Sequence, residues 1–212
     1  VIQAISFGPV ARGGRHIAGS TLLEDSGFAF LRGKAYDGTQ LETVMLFKPH
    51  GTRNSHQSYD NLTFQLSGRD SVWIPGTGGP GYAYDRPEQQ GWYEQSVARS
   101  GVVVDESTQY PYSAVGTRYS TDRAGRTSAG QLLSFVALPS VALADAMTAN
   151  VYDGVTMNRT LLLSAPYLLD RYTVHSDTEH LYDWVVHVRG QEGAADVELT
   201  PRPGPLADKP GY

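Results

Sequence analysis

The sequence predicts an all-β fold, a large antiparallel β-sandwich of the super-sandwich type. Three observations carry that expectation. Short apolar runs recur with a period of two, and no stretch sustains a helical period. The 212 residues are also punctuated by 23 glycines and 12 prolines. Many short strands at regular spacing, separated by turn residues, bury one face each by stacking two sheets.

Taken in order, strands are expected over residues 27–32 and 43–48, with the Tyr36-Asp37-Gly38 turn signal between them. Residues 62–67 and 71–74 form a hairpin around Ser67-Gly68-Arg69-Asp70. Residues 86–99 lack alternation and read as a short helical or irregular excursion before a strand at 101–105. Further strands follow at 132–138, 142–152, 157–164, 167–175 and 180–189. Ala124-Gly125-Arg126 and Asp153-Gly154 supply turns among them. Residues 142–147 have helical propensity, but the β-type runs on either side assign them to a strand. In the last strand His180, Tyr182, Trp184 and Val186 share one face, and Leu181, Asp183, Val185 and His187 share the other. Residues 1–199 read as one domain. Residues 200–212 carry four prolines and read as an extended tail.

Composition narrows the function classes. The formal net charge is −5, only 18% of residues are charged, and no block of like charge occurs. A nucleic-acid partner therefore has no electrostatic footprint here. No run of about 18 apolar residues is present, so no membrane helix is expected. The absence of cysteine excludes disulfides and thiolate metal sites. Val1 stands where an initiator methionine would, with no signal peptide before it, so the chain is expected to be a mature product or a piece of something longer.

The chemistry concentrates in the first half. Arg53-Asn54-Ser55-His56-Gln57-Ser58-Tyr59-Asp60-Asn61-Leu62-Thr63-Phe64 sets a histidine and an aspartate in a polar loop that runs into a strand. Trp73-Ile74-Pro75-Gly76-Thr77-Gly78-Gly79 ends the next strand. Gly91-Trp92-Tyr93-Glu94-Gln95-Ser96 and Val102-Val103-Val104-Asp105 follow. With Ser26-Gly27-Phe28-Ala29-Phe30-Leu31-Arg32 near the beginning, this order resembles the C-terminal β-domain of the heparinase II/III-like polysaccharide lyases, including the oligoalginate lyases. Their pattern runs roughly G-H-x-H-x-D-x-L-S-F, V-D-P-G-T, W-Y-x-x-S/T and A-H-N-T-V-V-V-D. The resemblance extends to about Arg189, and each motif taken alone is weak.

The resemblance implies a bacterial, secreted or periplasmic lyase that breaks a uronate-containing polymer such as alginate by β-elimination. It implies a second partner besides the acidic polysaccharide or oligosaccharide: an α/α-toroid domain or chain, which supplies an Asn-His pair and another tyrosine to the cleft. This chain would be one wall of that cleft and inactive alone. Laid on the pattern, His56 takes the place of the cleft histidine and Tyr93 that of the cleft tyrosine. These two are the catalytic candidates. A phenol can exchange a proton in either direction, and an imidazole can donate to a carboxylate. Arg53, Arg69 and Arg99 are candidate grips for uronate carboxylates, and His50 is a candidate contributor to the same cleft. Tyr82 and Tyr84, with Tyr110 and Tyr112, are a candidate stacking platform.

Plainer readings stand beside these. A loop histidine flanked by Asn and Ser is commonly a hydrogen-bonded surface residue. The chain has 13 tyrosines, most of which serve sheet packing, and Tyr82 and Tyr84 fit cross-strand pairs equally well. His180 and His187 face opposite sides of a strand and are expected to pack. The family's structural zinc is expected to be lost, because its ligand positions fall on Ser58, Ile74 and Arg99, so no cofactor is expected. Gly76-Thr77-Gly78-Gly79-Pro80-Gly81 lacks the lysine of a phosphate cradle. Asn61-Leu62-Thr63 and Asn158-Arg159-Thr160 match glycosylation sequons within expected strands and read as chance. Two further classes remain open: a non-catalytic sugar-binding module on the same fold, and a purely structural interaction domain without sugar affinity.

Overall fold

The computed structural model describes residues 19–50, 58–69, 71–76, 88–109, 129–164, 167–190 and 200. Eleven strands form among them. The first sheet is an antiparallel meander of β1 (Thr21–Leu23), β2 (Phe28–Lys34), β3 (Gln40–Leu46), β4 (Thr63–Gly68) and β5 (Ser71–Ile74). A two-stranded ribbon pairs β6 (Gly101–Val104) with β11 (Tyr182–Val185). The second sheet, in the order β10-β9-β8-β7, contains β7 (Gly130–Ala137), β8 (Ala142–Tyr152), β9 (Val155–Ser164) and β10 (Tyr167–Ser176). Antiparallel sheets and an apolar layer between them make this the all-β sandwich that the alternation predicts.

Burial follows the period of two. Along β9, Val155, Met157, Arg159, Leu161 and Leu163 are buried while their neighbours are half-buried. Ala142, Ala144 and Ala146 of β8 face the core beside them, and β2 packs against both strands with Ala29 and Leu31. The alanines leave room for the sheets to approach and for the larger side chains of β9 and β3 to fill the layer. Phe47, Leu62, Phe64, Val102 and Val104 extend this core beneath the candidate site.

Each expected strand on the described residues is present; β5 and β8 have the expected bounds and the others have shifted ends. β3 stops at Leu46 rather than at 48, because Lys48 turns to φ 41° and leaves the extended region. β11 is much shorter than 180–189, since its partner β6 has only four residues to offer a ladder. The chain runs on alongside β5, where the Arg189 amide donates to Trp73 O at 2.8 Å. β1, three residues long, has no counterpart among the expectations. Between β1 and β2 the Gly27 amide donates to Glu24 O, and Gly27 adopts φ 73° against the Lys48 backbone, where a Cβ would meet Lys48 N at 2.6 Å. The excursion expected at 86–99 is a π-helical turn at Gln89–Tyr93 followed by a 3₁₀ turn at Ser96–Ala98. The turn signal at 124–126 and residues 201–212 lie outside the described residues.

Candidate functional site

Two segments far apart in sequence are fastened together beside the first sheet. The Tyr59 amide donates to Glu94 O at 3.1 Å, and the Ser96 hydroxyl donates to Tyr59 O at 2.6 Å. Gln109 completes the block: its amide donates to Ser96 Oγ, its side chain accepts from the Asn61 amide at 2.8 Å, and it donates to Asn61 O at 3.0 Å. Ser96, Asn61 and Gln109 are all buried, where such bonds are costly to lose. The segment that follows His56 and the turn that carries Tyr93 are thus one unit.

Charge is buried within the same unit. Lys48 Nζ lies 2.5 Å from Asp60 Oδ1 and also donates to Ser58 O. Arg99 Nη2 donates to Ser58 Oγ and to Tyr93 O, each at 2.6 Å, and Arg99 Nε lies 3.9 Å from Asp60 Oδ2. Burial pushes the Arg99 guanidinium below its ordinary value, with the Asp60 and Glu94 carboxylates opposing that shift. Two non-glycine residues bracketing Asp60 have positive φ, Lys48 at 41° and Leu62 at 57°. Asp60, Arg99 and Ser100, with Phe28, Val44 and Phe64, line a recess of about 40 Å³. That is room for a few waters and not for a sugar ring.

Tyr93 closes the π-helical turn and is half-buried, with its carbonyl held by Arg99. The turn is fixed from the other end by the Glu94 amide on Gln89 O and by the Gln89 side chain on Glu94 Oε1. Next to it the exposed Trp92 meets His187 edge-on, ring centres 5.8 Å apart, and His187 Nε2 donates to Val97 O. His50 is exposed in the turn after β3. His56, Arg53, Tyr82 and Tyr84 lie outside the described residues. The guanidinium of Arg99, expected to reach for substrate, is turned inward and 12% exposed.

Of the other residues read from sequence, Ile74 ends β5 opposite Leu66. His180 braces the ribbon: its Nδ1 lies 2.6 Å from Asp105 Oδ2, and the Leu181 amide donates to Asp105 Oδ1. Lys48 and Gln109 were not singled out by sequence. No local motif marks either of them. Among the described residues no group of three or more His, Cys, Asp or Glu side chains could hold a metal ion, and no helix is long and apolar enough to cross a membrane.

A comparison with curated proteins found no match. Among solved structures the chain is similar to a heparinase III, with a TM-score of 0.63 and 17% identity, over 84% of this chain and 25% of that one. It is also similar to heparan sulfate lyase HepC from Pedobacter heparinus, with a TM-score of 0.50 and 17% identity, over 68% of this chain and 20% of that one. A mutant of HepC gives 0.54 and 18%, over 72% and 22%. The chain therefore spans about a quarter of the length of these proteins, and what it shares with them at this identity is the fold. The Heparinase II/III-like, C-terminal family model matches residues 17–200, most of the chain, and to that family of β-domains the chain belongs.

Proposed function

We propose that this chain is one wall of the cleft of a polysaccharide lyase acting on a uronate-containing acidic polymer. The other wall would come from a helical toroid domain or chain. The observation that carries the reading is the fastening of the Tyr93 turn to the segment entered by His56, through Tyr59, Ser96 and Arg99. It gives the backbone of the Tyr93 turn a rigid support on the segment that follows His56 in sequence, which favours a positioned phenol.

The reaction is β-elimination at a 4-linked uronate. A base removes the C5 proton, the electron pair forms the C4–C5 double bond, the C4–O bond breaks, and the departing oxygen takes up a proton. Tyr93 is assigned the proton transfers, and His56 the neutralisation of the uronate carboxylate, which makes the C5 proton removable. Arg53 and His50 are assigned to substrate carboxylates, and Tyr82 and Tyr84 to stacking on sugar rings. Heparan sulfate, after which the similar HepC lyase is named, and alginate, whose lyases share the motif pattern, both contain 4-linked uronates. A polymeric substrate also fits a secreted or periplasmic location.

The test has two parts. The full chain alone, incubated with alginate, heparan sulfate and a glucuronan, is expected to give none of the ultraviolet absorbance of an unsaturated uronate. In the complete enzyme Tyr93→Phe is expected to lower turnover by roughly 10²–10⁴-fold while leaving the melting temperature in place. Turnover by the chain alone overturns the one-wall reading. Full activity of the variant overturns the role of Tyr93.

A sugar-binding module without catalysis is the second reading. Trp184 and Tyr182, 62% and 41% exposed on β11, favour it, because outward aromatics are suited to stacking on sugar rings. It predicts binding by the chain that Trp184→Ala weakens and Tyr93→Phe does not.

A further inference from the structure

We propose that a buried cluster of Lys48, Asp60, Arg99 and Ser58 does the organising work of a structural metal ion in this chain, so that the domain holds its shape without one. The positions where the sequence resemblance implies zinc ligands are occupied by a hydroxyl at Ser58, a hydrocarbon at Ile74 and a guanidinium at Arg99. Zinc takes imidazole, thiolate or carboxylate donors, so this set does not fit it.

The geometry shows what stands in its place. Ser58 and Arg99 are 41 residues apart in sequence, yet Arg99 Nη2 reaches Ser58 Oγ at 2.6 Å. Two ligands of one ion must converge in this way. Here the positive charge arrives on a side chain instead. The same Nη2 holds Tyr93 O, and Lys48 Nζ reaches both Asp60 Oδ1 and Ser58 O. Three separate stretches, at Lys48, at Ser58 to Asp60 and at Tyr93 to Arg99, are thereby tied together. Two fixed cations already surround the Asp60 carboxylate, so a dication entering there would meet like charge on both sides.

The backbone gives a second, independent sign. Positive φ at Lys48 persists only where the surroundings over-determine it. Lys48 is both a strained residue and a member of the cluster. Arg99 is suited to the part because Nη2 carries two N–H groups, one for Ser58 Oγ and one for Tyr93 O, while Nε of the same rigid plane faces Asp60.

The experiment measures zinc content and melting temperature of the full chain, with and without a chelator and with added zinc. It then repeats the melts on Arg99→Ala and Arg99→Lys. The expected result is no stoichiometric zinc and no response to chelator or zinc in the native chain. Arg99→Ala is expected to melt roughly 5–10 °C lower, and Arg99→Lys to fall between the two. Stoichiometric zinc whose removal lowers the melting temperature overturns the proposal, and so does an Arg99→Ala variant that melts with the native chain. If that variant yields no folded protein, the chelator series on the native chain still decides.

Discussion

Among the described residues Arg159 is the largest side chain wholly removed from solvent. Its Nε and Nη2 reach Asp170 at 2.8 and 2.5 Å, and its Nη1 donates to Leu62 O and Ser100 O, both at 2.7 Å. The guanidinium also lies 4.3 Å over the Phe64 ring. A charge from the second sheet thus supports the backbone beneath the candidate site, including Leu62 in its unfavourable φ. Removing the arginine strands a carboxylate and two carbonyls, so Arg159→Met is expected to cost about 3–5 kcal/mol in denaturant unfolding. Adding Asp170→Leu should recover much of that, because an apolar pair can replace a buried ion pair at little cost. If the single variant loses less than about 1 kcal/mol, the network carries no weight. Sequence gave no warning of this role. Arg159 drew notice only as the middle of a chance sequon, because its partners at Leu62 and Ser100 are remote in the chain. Tyr93 and Ser58 drew notice because a local motif marks them, and Lys48 did not, since its partners Ser58 and Asp60 lie further along the chain at no regular strand or helix spacing.

At the scale of elements, alternation located the strands well and their ends less well. The span of β8 was readable in full from the β-type runs that flank it, although its first half has helical propensity. The end of β3 and the brevity of β11 depend on a positive φ and on a partner's length, and neither is written in the strand's own residues. The junction of the two sheets is equally invisible to pattern. At the start of β7 the Gly130 amide donates to Lys48 O, and a Cβ on Gly130 would stand 1.9 Å from Phe47 O and 2.8 Å from Asn61 Oδ1. The obstacle is backbone and has little freedom to yield. Gly130→Ala is therefore expected to cost about 3 kcal/mol, the upper end for overpacking, measured by chemical denaturation. A loss within about 0.5 kcal/mol would mean that the sheets are free to slide apart there.

Over the whole molecule, two phenols sit where the sheets meet. Tyr152 donates to Ser107 O, and the Tyr172 hydroxyl is turned inward onto Met157 Sδ. Burial pushes both well above the ordinary tyrosine value; Arg159 lowers Tyr172 only in part. Raised values mean that folding favours the protonated phenols. That contribution is fully present below pH about 10, the unfolded tyrosine value, and is lost as pH rises toward the folded values. Cooperative alkaline unfolding is expected above that point, with the phenolate absorbance of these two residues appearing only as the fold is lost. Free titration of every tyrosine near pH 10 with the fold intact would contradict it.

The β6–β11 ribbon has a consequence in time. Val102, Val103 and Val104 are buried, yet the strand that pairs with β6 is made some eighty residues later. A chain emerging from the ribosome must therefore carry an apolar strand with an open edge through the synthesis of the whole second sheet. β11, the last strand among the described residues, is what closes that edge. Between the synthesis of β6 and that of β11 the nascent domain holds an unfinished ribbon whose second strand has yet to be translated.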